Sequence, residues 1–248
     1  MTIRPYQRIG NLLIDKINAR EYLAGDKLPG ERDIAASMGV SRAVVREAVI
    51  MLELFGFVDV RKGSGVYVKA IQGCGSIDDN SDVGPFELLH ARQLVESTIA
   101  RAAAASITKQ DVVSLKKIIE QEKRELSQPA NLAGTSVSSD KQFHYMLAQA
   151  TKNSVLVNMM EMMWEQRSKS QMWRQLEKYI SNYQYRQKWL QHHEVILQAL
   201  IMKDADRAYQ AMFDHIQEVK QTLFNHSDVE NPEFDAFLFD FEPKKITL

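Results

Sequence analysis

One stretch constrains this chain more than any other: residues 28–68, LPGERDIAASMGVSRAVVREAVIMLELFGFVDVRKGSGVYV. Pro29 and Gly30 precede a run that places Ile34, Ala35 and Met38 on one helical face. Gly39 stands where a left-handed C′ glycine ends such a helix. Ser41 is a good N-cap for the next helix. Val45, Ala48, Val49 and Leu52 then recur at i, i+3, i+4 and i+7, the period of an amphipathic helix. Gly56 closes it. Phe57–Arg61 and Val66–Lys69 are short β-prone runs around Lys62-Gly63-Ser64-Gly65, a hairpin signal. Helix, tight turn, helix and hairpin make the plan of a winged helix-turn-helix.

The polar residues fit that plan. Ser41, Arg42 and Arg46 occupy the first turn and a half of the second helix, the end that a recognition helix points into the major groove. Arginine there can bond guanine bidentately or clamp a phosphate. Arg32 opens the preceding helix, and Arg61 with Lys62 edges the hairpin. The competing reading is an ordinary solvated helix face. The basic wing beside the helical pair favours nucleic acid.

Charge is divided unevenly. Residues 1–70 hold 11 Lys/Arg against 8 Asp/Glu, a net of +3, and the remainder carries −4. A mildly basic head on an acidic body suits a DNA reader joined to something else. At 248 residues the chain is long enough for two cores. No run of about 18 apolar residues occurs, so no transmembrane helix is expected. The N-terminus lacks the apolar core of a signal peptide. The single cysteine, Cys74, excludes internal disulfides and suits a reducing cytoplasm, the expected location.

The rest of the chain divides as follows. Tyr6, Ile9, Leu12, Leu13 and Ile17 mark a first helix at about residues 5–20, completing a DNA-binding domain over residues 1–70. Residues 71–84, rich in Gly, Ser, Asp and Asn, read as a linker. From 85 to 226 the pattern is helical, with no strand signal, which predicts a bundle of six or seven helices. Its expected helices are Phe86–Ser106, with Leu89, Leu94 and Ile99 packed; Thr108 to Ser127; Ser139–Thr151; Ser154–Met172; one or two helices in 176–201; and Asp204–Phe224. The Met and Trp stripe at 159–173 reads as core lining a cavity, and Asn153 as a helix cap. The tail, 227–248, alternates Phe and Leu and is expected to dock on the bundle. The fold class is therefore mainly α, a winged helix-turn-helix with a small β-hairpin wing followed by an all-α helical bundle.

Within the bundle, Asp140 and His144 are i and i+4 on one helix, so they share a face and can hold one ion. His193 and His215 lie on two later helices beside apolar periodic residues. Spacing alone leaves these imidazoles open between satisfied core histidines and metal ligands.

Family resemblance extends these readings. Leu28-Pro29-x-Glu31-Arg32-x-Ile34-Ala35, Val40-Ser41-Arg42-x-x-Val45-Arg46-Glu47-Ala48, Leu52-Glu53-x-x-Gly56-x-Val58 and Arg61-x-Gly63-x-Gly65-x-x-Val68 together resemble the DNA-binding domain of the GntR family of bacterial transcription regulators. The resemblance implies that Arg32, Arg42 and Arg46 contact operator DNA, with Ser41 and Ala43 beside them. It also implies that the wing at Lys62-Gly63 enters the minor groove. The partner that the resemblance implies is a double-stranded, pseudo-palindromic operator read by a homodimer.

Asp140-x-x-Phe143-His144-x-x-Leu147-x-x-Ala150-x-x-Asn153, His193-x-x-Ile196-Leu197-x-Ala199-Leu200 and Asp204-x-x-x-Ala208-x-x-Ala211-Met212-x-x-His215 resemble the FCD domain. This is the effector domain of the FadR-type branch of that family. Its metal-binding members use one Asp and three His, which implies Asp140, His144, His193 and His215 as ligands, with His192 an adjacent alternative. The implied ion is a divalent transition metal: zinc first, then nickel, manganese or iron. Arg92, in the Arg-x-x-x-Glu of this domain, and Arg167 are the residues expected to meet an effector.

Gly84-Pro85-Phe86-Glu87-Leu88-Leu89-x-Ala91-Arg92-Gln93-Leu94-x-Glu96-Ser97 narrows the resemblance to the hexuronate-utilisation repressors of enteric bacteria. Arg4-Pro5-Tyr6-Gln7 and Tyr185-Arg186-x-x-Trp189-Leu190 favour the glucuronate-pathway type, whose implied effector is a sugar acid such as D-fructuronate. The expected protein is thus a DNA-binding repressor and not an enzyme. The rivals are a tagaturonate-responsive repressor of the galacturonate pathway and a metal-dependent enzyme acting on sugar acids. The enzyme lacks a clear general base, because Glu194 directly follows a ligand position. A further rival makes the metal purely structural.

Overall fold

The computed structural model describes residues 3–61, 63–70, 82–127, 136–177 and 183–227. The chain divides into two compact units, Met1–Asn80 with Phe224–Leu248, and Ser81–Leu223.

In the first unit, helix α1 (Pro5–Asn18) starts on a proline whose missing N–H costs nothing there. The Gln7 side-chain Oε1 accepts the Arg4 N–H at 3.0 Å. Its face of Tyr6, Ile9, Leu13 and Ile17 is buried, and α1 packs on α3 (Arg42–Leu54). Helix α2 (Glu31–Met38) stops at Gly39, whose φ of 63° is the left-handed conformation that glycine adopts without strain. The Ser41 hydroxyl accepts the Val44 N–H at 3.4 Å and caps α3. Val45, Ala48, Val49 and Leu52 are all buried, as their period requires.

Strands β1 (Val58–Arg61) and β2 (Gly65–Val68) pair antiparallel, with Val58 opposite Val68. Leu28 donates to the Val66 carbonyl at 2.8 Å and Val68 to that of Asp26 at 2.9 Å, so residues 26–28 cover the free edge of β2. At Gly65 (φ 125°) a Cβ would sit 2.4 Å from Lys27 Cε. Lys62 and most of the expected linker lie outside the described residues, as does the tail segment expected to dock.

The second unit is a helical bundle: α4 (Pro85–Ser106), α5 (Lys109–Leu126), α6 (Ser136–Ala150), α7 (Ser154–Lys169), α8 (Gln171–Glu177), α9 (Tyr183–Ile201) and α10 (Ala205–His226). The last turn of α10 belongs to the first unit. Seven helices and no strand follow residue 70 among the described residues. Thr108 and Asp111 cap α5 reciprocally, and the Asn153 side-chain Oδ1 caps α7 by accepting from the Val155 and Leu156 N–H groups.

Three details differ from the periodicity. The expected helix Ser154–Met172 is two helices, because Ser170 is extended (ψ 125°). The N-terminus of α8 is held by Ser170 Oγ, which accepts from Trp173, and by the Asp82 carboxylate, which accepts from Gln171 and Met172 at 2.9 and 3.0 Å. Leu94 is half exposed rather than packed. The methionine stripe is also divided: Met160, Met163 and Met172 are buried, whereas Met159 and Met162 face outward.

Candidate metal centre and nucleic-acid interface

Three helices bring the four polar residues together. Asp140 and His144 share a face of α6, His193 comes from α9, and His215 comes from α10. One ligand atom from each lies within 4.8 Å of the others. The three imidazoles are at most 1 % exposed. Asp140 Oδ1 is 3.5 Å from His144 Nε2 and 3.6 Å from His193 Nε2, too far for hydrogen bonds. The atoms converge without satisfying one another. His193 Nε2 and His215 Nδ1 are buried with no hydrogen-bond partner among the described residues. Lone pairs left bare in a buried site are costly, and a cation at their centre removes that cost. Three imidazoles and one carboxylate suit a divalent transition metal rather than calcium. His192 is only half buried and stands beside the cluster, its ring 5.8 Å from that of His215.

Carboxylates lie on the far sides of two rings. Glu96 Oε2 is 2.5 Å from His144 Nδ1, and Glu122 Oε2 is 2.9 Å from His193 Nδ1. Arg92 Nε donates to Glu96 at 2.6 Å, and Arg167 Nη1 to Asp140 Oδ2 at 3.2 Å. The Trp164 ring faces both guanidiniums, 4.4 Å from Arg92 and 4.8 Å from Arg167. Burial pushes the Glu96 carboxyl up, but the charges of Arg92 and His144 outweigh it and hold the group at about 2. Burial would lower His144, yet the neighbouring carboxylates of Glu96 and Asp140 outweigh it and raise the group to about 9. Burial, then the neighbouring imidazoles, keeps His215 well below its usual value.

Both arginines expected at an effector site therefore adjoin the cluster, with different commitments. Arg92 is buried against Glu96, while Arg167 bonds the Asp140 carboxylate. Glu122 escaped the sequence reading. Its signal was a charge in the buried register Leu115, Ile119, Glu122, Leu126 of α5.

On the DNA-reading side, Arg32, Ser41 and Gly63 are exposed, and Arg42 and Ala43 are half buried. The Phe224 ring lies 4.8 Å from the Arg42 guanidinium. Arg46 departs from the expected open face, being only 2 % exposed. Its Nε and Nη2 donate to the two carboxylate oxygens of Glu31. Its Nη1 donates to the Phe224 carbonyl at 3.0 Å and to Ser227 Oγ at 2.5 Å. The cause is a partner fifteen residues earlier at the start of α2, which helical period alone does not reveal.

Among the described residues no helix is long and apolar enough to cross a membrane. Residues 5–68 match the family described as bacterial regulatory proteins, gntR family, and residues 87–218 match the FCD domain. The chain is 47 % identical over 242 residues to the Uxu operon regulator of Haemophilus influenzae, covering 97 % of this chain and 90 % of that one. It is 46 % identical over 245 residues to the Uxu operon transcriptional regulator of Escherichia coli, covering 97 % and 95 %. It is 43 % identical over 247 residues to the Exu regulon transcriptional regulator of Escherichia coli, covering 97 % and 93 %.

Proposed function

Because the chain belongs to the GntR family of transcriptional regulators and carries the FCD domain, we propose that it represses hexuronate-utilisation genes and leaves its operator when a sugar acid binds in the bundle. The observation that carries this reading is the near full-length likeness to two regulators named for the Uxu operon. D-fructuronate is the proposed effector, and zinc the proposed metal. Asp140, His144, His193 and His215 would hold the ion, which when bound offers open coordination positions to a carboxylate and an adjacent oxygen. Arg167, which bonds Asp140, would meet the acid, and Arg92 would support Glu96.

A homodimer reads the two halves of a pseudo-palindrome, one winged domain on each. Arg32, Ser41, Arg42, Ala43 and the wing at Lys62-Gly63 supply the contacts of each half, with Arg46 joining once released from Glu31. Release of DNA by the effector requires unequal affinity for DNA-competent and DNA-incompetent states. The galacturonate-pathway alternative keeps one specific support, the 43 % identity to the Exu regulon regulator.

Fluorescence anisotropy on DNA from the protein's own upstream region, at fixed salt because phosphate contacts are salt-dependent, tests the reading. Release by D-fructuronate and not by D-tagaturonate is expected. Release by tagaturonate alone moves the protein to the other pathway, and indifference to both removes the effector assignment.

A further inference from the structure

A neutral imidazole has one N–H and one lone pair, and the partner of one nitrogen decides which is which. At His193 that partner is a carboxylate. Glu122, 6 % exposed on α5, brings Oε2 to 2.9 Å from Nδ1. A carboxylate only accepts, so the proton sits on Nδ1 and the lone pair on Nε2, the nitrogen that faces Asp140. His144 is arranged in the same sense, with Glu96 at Nδ1 and Asp140 on the Nε2 side. His215 Nδ1 has no hydrogen-bond partner among the described residues.

Glu122 raises a question of charge that Glu96 does not. Glu96 has the Arg92 guanidinium beside it. Glu122 has His193 as its one hydrogen-bond partner among the described residues. A buried carboxylate without a countercharge is unfavourable, and an imidazole that ligates a metal is neutral and does not cancel it. A cation on the far nitrogen of the same ring does, through the polarised ring.

We infer that Glu122 and Glu96 are positioning residues of the centre, fixing His193 and His144 with Nε2 turned toward the ion, and that Glu122 has the ion as its countercharge. The inference rests on the cluster being a metal site. His193 is thereby held from behind by a hydrogen bond and His144 by the close approach of the Glu96 carboxylate, and the third ring is held by packing, 4.7 Å from His193 and 5.3 Å from His144.

The test uses full-length protein, stripped with a chelator and titrated with Zn²⁺ against a chromophoric competitor; Co²⁺ absorption reports the ligand field. Glu122→Ala is expected to lower zinc affinity by about 10- to 100-fold, the usual effect of removing such a carboxylate. Glu122→Gln, the same size and still able to accept the Nδ1 proton, is expected to lose less and to shift the Co²⁺ bands. A merely structural glutamate would leave those bands unmoved. Circular dichroism of the stripped proteins checks folding, and the near-isosteric Gln variant carries the test if the Ala variant does not fold. Wild-type zinc affinity and an unchanged cobalt spectrum in folded variants overturn the inference and leave the metal site standing. A wild-type protein that takes up no zinc overturns both.

Discussion

Replacing Glu31 should destabilise the DNA-binding unit strongly. Glu31 and Arg46 are 3 % and 2 % exposed and meet through two donor–acceptor pairs. Two buried charges attract strongly but lose much hydration, so the pair itself adds little net stability. Removing one partner is another matter, since it leaves the other charge buried and uncompensated, which costs about 3–5 kcal/mol. In Glu31→Gln the amide keeps one acceptor, and Arg46 keeps the Phe224 carbonyl and Ser227 hydroxyl. The loss should therefore sit near the lower end, about 3 kcal/mol. The contrast is Glu31→Leu with Arg46→Met, where both charges go and an apolar pair fills the space. That double variant should regain most of the loss. Native-state hydrogen exchange on peptides from α2 and α3 reads this unit separately from the bundle. At about 3 kcal/mol, amides that open with the whole unit exchange roughly 150-fold faster. A Glu31→Gln protein whose α3 amides exchange at the wild-type rate would refute the claim that this ion pair is buried and interdependent.

Asp140→Asn should abolish the rise in melting temperature that zinc gives the wild type, a rise worth about 2.7 kcal/mol at a hundredfold excess over the dissociation constant; differential scanning calorimetry checks it. Gly39→Ala should cost about 1 kcal/mol in urea denaturation, because the left-handed φ strains any side chain even though nothing lies within 4 Å of the new methyl. Asp111→Asn should weaken the α5 cap by about 1 kcal/mol. Burial raises the Asp111 carboxyl, but hydrogen bonds from Lys152 and Thr108 outweigh this and lower it. Its contribution is thus fully present above its ordinary value of 3.8 and lost as pH falls through the lower folded value, so the wild-type advantage over Asn should shrink under acid.

What could be read from the residues follows physical rules about distance along the chain. The winged domain was legible because its signals are local: the Ser41 cap, the left-handed Gly39, and the period of Val45, Ala48, Val49 and Leu52. The pairing of Asp140 with His144 was legible as one helical turn. Their meeting with His193 and His215 was not in the spacing and entered only through family resemblance. The break at Ser170 was invisible, since no glycine or proline marks it and half of its cap comes from Asp82, 89 residues before Gln171. Arg46 was misplaced for a similar reason. Helical period puts it on a polar face, and only the fold shows that Glu31 covers that face. Glu122 is the converse, a charged residue in an apolar register whose partner His193 is 71 residues away.

The covered guanidinium of Arg46 also bears on how operator binding responds to salt. Each phosphate neutralised by a protein cation releases condensed counterions and adds about −0.9 to the slope of log affinity against log salt. While Arg46 shares its charge with Glu31, it releases none, so a tally of basic residues on α3 overstates the slope. The difference between the slope measured and the slope tallied counts how many such arginines stay at home when the protein is on DNA. If DNA does draw Arg46 out, the protein binds only from the fraction of molecules already opened, and its apparent dissociation constant exceeds the intrinsic one by the inverse of that fraction.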